Sequence, residues 1–169
     1  ETARPLGRGN GGVAAHYFLA APLGTVSYGL TDQISLGAGL TAIPGSVSQV
    51  AFLYAKAGWT LAPRKALAVG LFHARGWGEE DSVAVRYAVS SFGPPSRSLS
   101  LGVALAATRE LVPVYSPDGM YTGSSRRFNL LARPLLFVGG TVGFGKGAAI
   151  VAEGWLASDG DDTFLPIGA

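Results

Sequence analysis

Ser98-Leu99-Ser100-Leu101-Gly102-Val103-Ala104-Leu105-Ala106-Ala107 decides how this chain is read. Leu99, Leu101, Val103 and Leu105 fall on one side of a period of two, and Ser98, Ser100, Gly102, Ala104 and Ala106 on the other. Alternation of that kind marks a β-strand with two unlike faces. A sheet that buries its apolar side normally offers water a face of charged and long polar residues. Here the second face is Gly, Ala and Ser. An apolar face toward the surroundings and a small, sparsely polar one toward the inside is the requirement of a transmembrane β-barrel.

Composition agrees. Charged residues make up 14% of the chain, against about 25% in ordinary globular domains. There are 25 glycines in 169 residues, which suits tight turns and close wall-to-wall approach in strands far better than it suits helices. The apolar runs, of which Ala66 to Phe72 and Ala148 to Ala152 are the longest, fall short of the roughly 18 residues of a membrane-crossing helix. Cysteine is absent, so disulfides and thiolate metal sites are excluded. The net charge is +2, and the cations are scattered except at Arg126-Arg127. A nucleic-acid partner would need a basic stripe with stacking aromatics, and none is expected.

Turn signals cut the sequence into hairpins. The first runs from Thr25 to Leu30, turns at Thr31-Asp32-Gln33 and returns from Ile34 to Ile43. The second pairs Val50 to Leu61 with Lys65 to Arg75, with Ala51, Leu53, Ala55, Ala57, Trp59 and Leu61 outward and Tyr54, Lys56, Gly58 and Thr60 inward. On its return arm Leu67, Val69 and Leu71 are expected outward, Ala66, Ala68, Gly70 and Phe72 inward. The third pairs Ser82 to Phe92 with Arg97 to Thr108 across Gly93-Pro94-Pro95-Ser96, a turn made secure by its two prolines. In its first arm Val83, Val85, Tyr87 and Val89 are expected outward, Ala84, Arg86, Ala88 and Ser90 inward. The fourth joins Arg127 to Val138 with Gly147 to Ala157, and Pro134 suggests a bulge or bend in it.

Arms of about ten residues match what a tilted strand needs to cross a bilayer. The connections within hairpins are short; those between them, Pro44 to Gln49, Gly76 to Asp81 and Arg109 to Arg126, are longer. Short turns at one end and long loops at the other is the asymmetry of bacterial outer-membrane barrels. The segment Arg109 to Arg126 lacks periodicity and is expected to be a mobile loop. Arg4 to Gly12 reads as a loop joining a preceding strand to Val13, and Thr163 to Ile167 as the start of a further strand. The expectation is a single domain over residues 1–169, incomplete at both ends.

Val26-Ser27-Tyr28-Gly29-Leu30-Thr31-Asp32-Gln33-Ile34-Ser35-Leu36-Gly37-Ala38-Gly39 resembles a recurring hairpin of bacterial outer-membrane barrels, a Tyr-Gly-Leu-Thr-Asp turn followed by a glycine-alternating strand. Thr2 to Gly9 and Ala152-Glu153-Gly154-Trp155 are similar to poorly characterised envelope proteins of that kind. The resemblance covers the first hairpin well and the rest loosely. It implies fold and location, with no catalytic residue. Such barrels commonly end in an aromatic residue, whereas this chain ends Ile167-Gly168-Ala169.

Four charged residues interrupt rows of small ones and are the lumen-facing candidates: Lys56, Arg86, Arg133 and Glu153. They could line a polar passage that sets conductance or form an internal ion-pair network that plugs a narrow barrel, with Glu153 pairing one of the bases, because burial of a lone charge is costly. Trp59, Trp77 and Trp155, with Tyr28, Tyr87 and Phe92, sit near strand ends and could form an interfacial girdle or pack in a core. His16 and His73 lack convergent catalytic partners. Asp159, Asp161 and Asp162 lack the glutamate of a calcium loop. The glycines from Gly139 to Gly147 lack the Ser/Thr and helix of a phosphate loop.

The expected fold is therefore all-β, an antiparallel up-and-down transmembrane β-barrel with about eight strands visible and room for more in a larger barrel. The expected function is that of a small pore or structural envelope protein of the bacterial outer membrane, not an enzyme and without a cofactor. Its expected partners are outer-membrane lipid and, secondarily, other envelope subunits. The alternative is a soluble or periplasmic lipocalin-like barrel holding an apolar ligand; a membrane-embedded lipid hydrolase is the remaining reading. Which face carries Leu and Val separates the first two.

Overall fold

The computed structural model describes residues 3–18, 21–41, 49–76, 81–130, 134–144, 148–159, 162–164 and 167–168. The strands are β1 (Gly11–Phe18), β2 (Ala21–Gly29), β3 (Ile34–Thr41), β4 (Val50–Ala62), β5 (Lys65–Gly76), β6 (Ser82–Phe92), β7 (Arg97–Tyr115), β8 (Tyr121–Leu130), β9 (Leu135–Phe144), β10 (Ala148–Asp159), β11 (Asp162–Phe164) and β12 (Ile167–Gly168). They form one antiparallel sheet, curled through 262° into an open half-barrel. Neighbours in sequence are neighbours in the sheet from β1 to β7, and β9, β10 and β11 follow.

Among the described residues there are twelve strands where about eight were expected, and the surplus arises in three places. β1 pairs with an earlier-starting β2, from Phe18 opposite Ala21 to Gly11 opposite Tyr28. β11 and β12 both pair with β10. The third place is β7, 19 residues long, whose free side is shared end to end by two strands. β9 pairs with its first half, Arg97 to Ala104, and β8 with its second, Ala107 to Tyr115. Pro134 lies in the interruption between them, as a residue without an amide hydrogen should. The segment Arg109 to Arg126, expected as a mobile loop, is thus a continuation of a hairpin. It closes at Ser116-Pro117-Asp118-Gly119, where Gly119 has a φ of 80° and its amide donates to the Ser116 carbonyl at 2.9 Å. Beyond the last β6 partner, Ser82 opposite Arg109, β7 runs on for six residues, about 20 Å at the rise of a strand.

Inside the curl, rings lie on glycines. Tyr54 sits opposite Gly37, Tyr87 opposite Gly70 and Phe137 opposite Gly102. A methyl group built on any of these three glycines would overlap the ring across from it. An aromatic side chain on one strand thus fills the socket left by a glycine on its neighbour. Tyr87 and Phe137 pack with Ala3, Ala66, Ala68, Val89 and Ala104 into one buried cluster.

Ala3 stands just before Arg4 to Gly12, the segment that the sequence reading placed as a loop leading to Val13. The chain from Ala3 to Leu6 is instead a strap across the inner surface at the hairpin-turn end. The Ala3 amide donates to Ser91 Oγ at 2.8 Å, Ser91 Oγ shares a hydrogen bond of 2.7 Å with Ser100 Oγ, and the Leu6 amide donates to Ser35 Oγ at 3.4 Å. Arg4 Nη2 reaches the carbonyls of Pro63 and Gly93 in two hairpin turns. At Gly58 a Cβ would lie 2.7 Å from the Ala3 carbonyl oxygen, so only glycine lets the strap lie this close.

Candidate functional site

Register assigns each strand residue to a face. Leu99, Leu101, Val103 and Leu105 are outward and exposed, Leu101 by 47%. Ser98, Ser100, Ala104 and Ala106 are buried on the inner face. The outer wall continues through Leu36 and Leu53, Val69 and Leu71, and Leu136 and Val138, all exposed. The faces read from sequence for β4, β5 and β7 are those observed.

β6 is inverted. Arg86 lies opposite Leu71 on β5 and Leu105 on β7, so it is outward and exposed, not in the lumen. Tyr87, expected at an outer interface, is inward and only 9% exposed. The cause is volume. β6 faces Ala66, Ala68 and Gly70 on one side and Ser100, Gly102 and Ala104 on the other, so its own inward residues, Val85, Tyr87 and Val89, must fill the space those leave. Large-beside-small alternation is how small barrels fill their interior.

The other candidates divide as follows. Lys56 is inward on β4 and 7% exposed, opposite Ser35 and Gly70. Glu153 is inward on β10 and half-buried, its Cγ 3.2 Å from where a Cβ on Gly139 would stand. Both have an interaction partner within the protein. Arg133 lies outside the described residues, as does Trp77. Trp155 stands opposite Phe137 in the ladder, its side chain outside what is described. Tyr28, Trp59 and Phe92 are outward, exposed and close to hairpin turns, so three of the six aromatics share the turn end of the outer wall. His73 is outward and exposed, and His16 is opposite Leu23. Asp159 and Asp162 face each other where β10 meets β11. Gly139 to Gly143 are strand residues of β9. Among the described residues no group of three or more His, Asp or Glu side chains could hold a metal, and no helix is long and apolar enough to cross a membrane.

At outward strand positions among the described residues the charges have one sign. Among the described side chains at outward strand positions, those carrying full charge are Lys65 and Arg97 near the turns, Arg75 and Arg109 near the opposite end, and Arg86 between. The carboxylate of Glu153 is inward. The wall is thus an apolar belt with cations at both margins, a pattern the sequence reading missed because it weighed each charge alone. Comparison with protein-family models, with curated proteins and with solved structures finds no match.

Proposed function

We propose that this chain is a β-barrel of the bacterial outer membrane, a structural envelope protein with a filled interior and no enzymatic activity, whose principal partner is membrane lipid. The height of the apolar belt carries the reading. Ten residue steps separate Lys65 from Arg75 on β5, and twelve separate Arg97 from Arg109 on β7. At about 3.3 Å per residue and a tilt of about 40°, these correspond to about 25 Å and 30 Å of height. The outer apolar band of such barrels is about 25 Å tall. A lipocalin-like barrel would hold its leucines inside and show water its polar face, whereas here Leu36, Leu53, Leu71, Leu101 and Leu105 are outward and exposed.

The strap and the ring-over-glycine sockets favour a plug over an open pore, since they occupy the inner surface with buried side chains. In a bilayer the free edge of β1 requires cover, because unpaired backbone groups find no water there. β12 is the backbone placed for it, with Cα atoms of the two strands within 8 Å.

Refolding into phosphatidylcholine vesicles followed by density flotation tests the reading, with planar-bilayer recording of the same material. The expected result is co-flotation without conductance steps. Protein that stays monodisperse in buffer and does not float would refute the membrane assignment; steady ion-selective conductance would turn the plug into a pore.

A further inference from the structure

We propose that the outer wall carries, at the end away from the hairpin turns, a binding site for the phosphate of an anionic membrane lipid, formed by Arg75, Arg86, Arg109 and His73. The inference rests on the membrane-barrel reading and names a ligand that reading leaves open.

The register brings the four together. Arg75, Ser82 and Arg109 form one row across β5, β6 and β7, so the two arginines stand about 10 Å apart, two strand spacings. His73 is two residues from Arg75 along β5, about 7 Å, and Arg86 is four residues from Ser82 along β6, about 13 Å. Between them the wall has a floor of small side chains, Ser82, Ala84 and Ala107, which lie in the same rows. Arg75, Arg86 and His73 are exposed and Arg109 half-buried. The result is a shallow, cation-ringed depression on an otherwise leucine-rich surface.

Charge complementarity identifies the occupant. Arg86 stands inside the apolar belt, with Leu71 and Leu105 beside it. A long basic side chain in that position lays its stem on the apolar surface and carries its head toward the polar margin, which here means toward Arg75 and Arg109. Three arginines on neighbouring strands near one margin suit a phosphate, whose oxygens accept the paired N–H groups of a guanidinium. Arg75 and Arg109 each take part in an interaction within the protein, and a guanidinium carries five N–H donors. Asp81, the described carboxylate that precedes Ser82, accepts from the Leu111 amide at 3.2 Å. Acyl chains of the same lipid would continue over Leu71, Leu105 and Val103. A water-soluble anion would gain nothing from that surface, so the site commits to a lipid.

The test uses the full chain, folded in nonionic maltoside micelles and titrated with diphosphoryl lipid A, dephosphorylated lipid A or inorganic phosphate, with bound lipid counted by native mass spectrometry. Each arginine near an anionic headgroup contributes about fivefold in affinity. R75Q/R109Q is therefore expected to weaken diphosphoryl lipid A binding about twentyfold, R75K/R109K, which keeps the charge and loses the paired N–H groups, to weaken it by less than that, and K65Q/R97Q, at the other margin, to change it less than about twofold. Equal binding of the dephosphorylated lipid would overturn the proposal. So would equal loss in K65Q/R97Q, or displacement of the lipid by an equal concentration of inorganic phosphate. Circular dichroism and heat-modifiable gel mobility establish that each variant is folded. Flotation with phosphatidylcholine vesicles separates the two readings: a chain that floats but shows no phosphate preference loses the site and keeps the membrane assignment, and one that does not float loses both.

Discussion

Replacing Gly70 by alanine should change sign according to what stands across from it. A methyl group at Gly70 overlaps the ring of Tyr87, and that ring is held in a buried cluster with Ala68, Val89 and Phe137, so it cannot swing aside at no cost. Overpacking of this kind costs about 1–3 kcal/mol. Against it, alanine in a strand interior is favoured over glycine by about 0.5–1 kcal/mol. Gly70→Ala in the natural chain should therefore destabilise, by about 0.5–2 kcal/mol after the two are combined. Tyr87→Ala alone should cost about 3–5 kcal/mol, the range for truncating a buried aromatic. In the Tyr87→Ala background the overlap is gone, and Gly70→Ala should stabilise by about 0.5–1 kcal/mol. Reversible urea unfolding of the folded protein in micelles, followed by tryptophan fluorescence, gives all four free energies of the cycle. Effects that add within about 0.5 kcal/mol would mean that the two positions do not touch. That outcome would refute the ring-in-socket account of the interior.

Ser91→Ala removes the acceptor of the Ala3 amide and the partner of Ser100 Oγ; leaving buried groups unpaired should cost about 1–3 kcal/mol, read as a lower urea midpoint together with faster hydrogen exchange at the Ala3 amide. Leu101→Arg places a charge in the middle of the outer belt and should cost about 2–4 kcal/mol in vesicles, whereas a small effect there would argue that the wall does not face hydrocarbon. Gly119→Ala, at a φ of 80°, should cost about 1–2 kcal/mol, expressed as local opening of the β7–β8 tip and faster proteolysis between Tyr115 and Tyr121, with the vesicle-bound fraction unchanged.

Strands that separate two unlike surroundings were legible because the surroundings impose the alternation. Leu99 to Leu105 and Leu67 to Leu71 read correctly for that reason. β6 misled because its larger side chains face inward, and the rule that the bulkier face is outward fails where the neighbouring strands are glycine and alanine. The signal for the right answer was present. Counted back from a turn over Gly93 to Ser96, even-numbered residues of β6 pair with odd-numbered ones of β7, as they do from Phe92 opposite Leu99 to Arg86 opposite Leu105. The β7–β8 extension was illegible for another cause. Beyond the belt both faces of a hairpin meet the same solvent, so Thr108 to Tyr115 and Tyr121 to Leu130 need not alternate. The strap carries no pattern at all, because its hydrogen bonds are backbone amides meeting serines far away in sequence. Arg75, Arg86, Arg109 and His73 were visible as residues, but their convergence is a property of register.

The strap has a consequence for the order of events in folding. Its amides are received by Ser35 on β3 and Ser91 on β6, and Arg4 grips turns at Pro63 and Gly93. Residues 3 and 91 are 88 positions apart, and contacts of such separation close slowly. The full set of these receptors is in place only once the three hairpin turns lie side by side, so the strap is among the last parts to find its place, and its docking marks the moment when the curl of the sheet is complete.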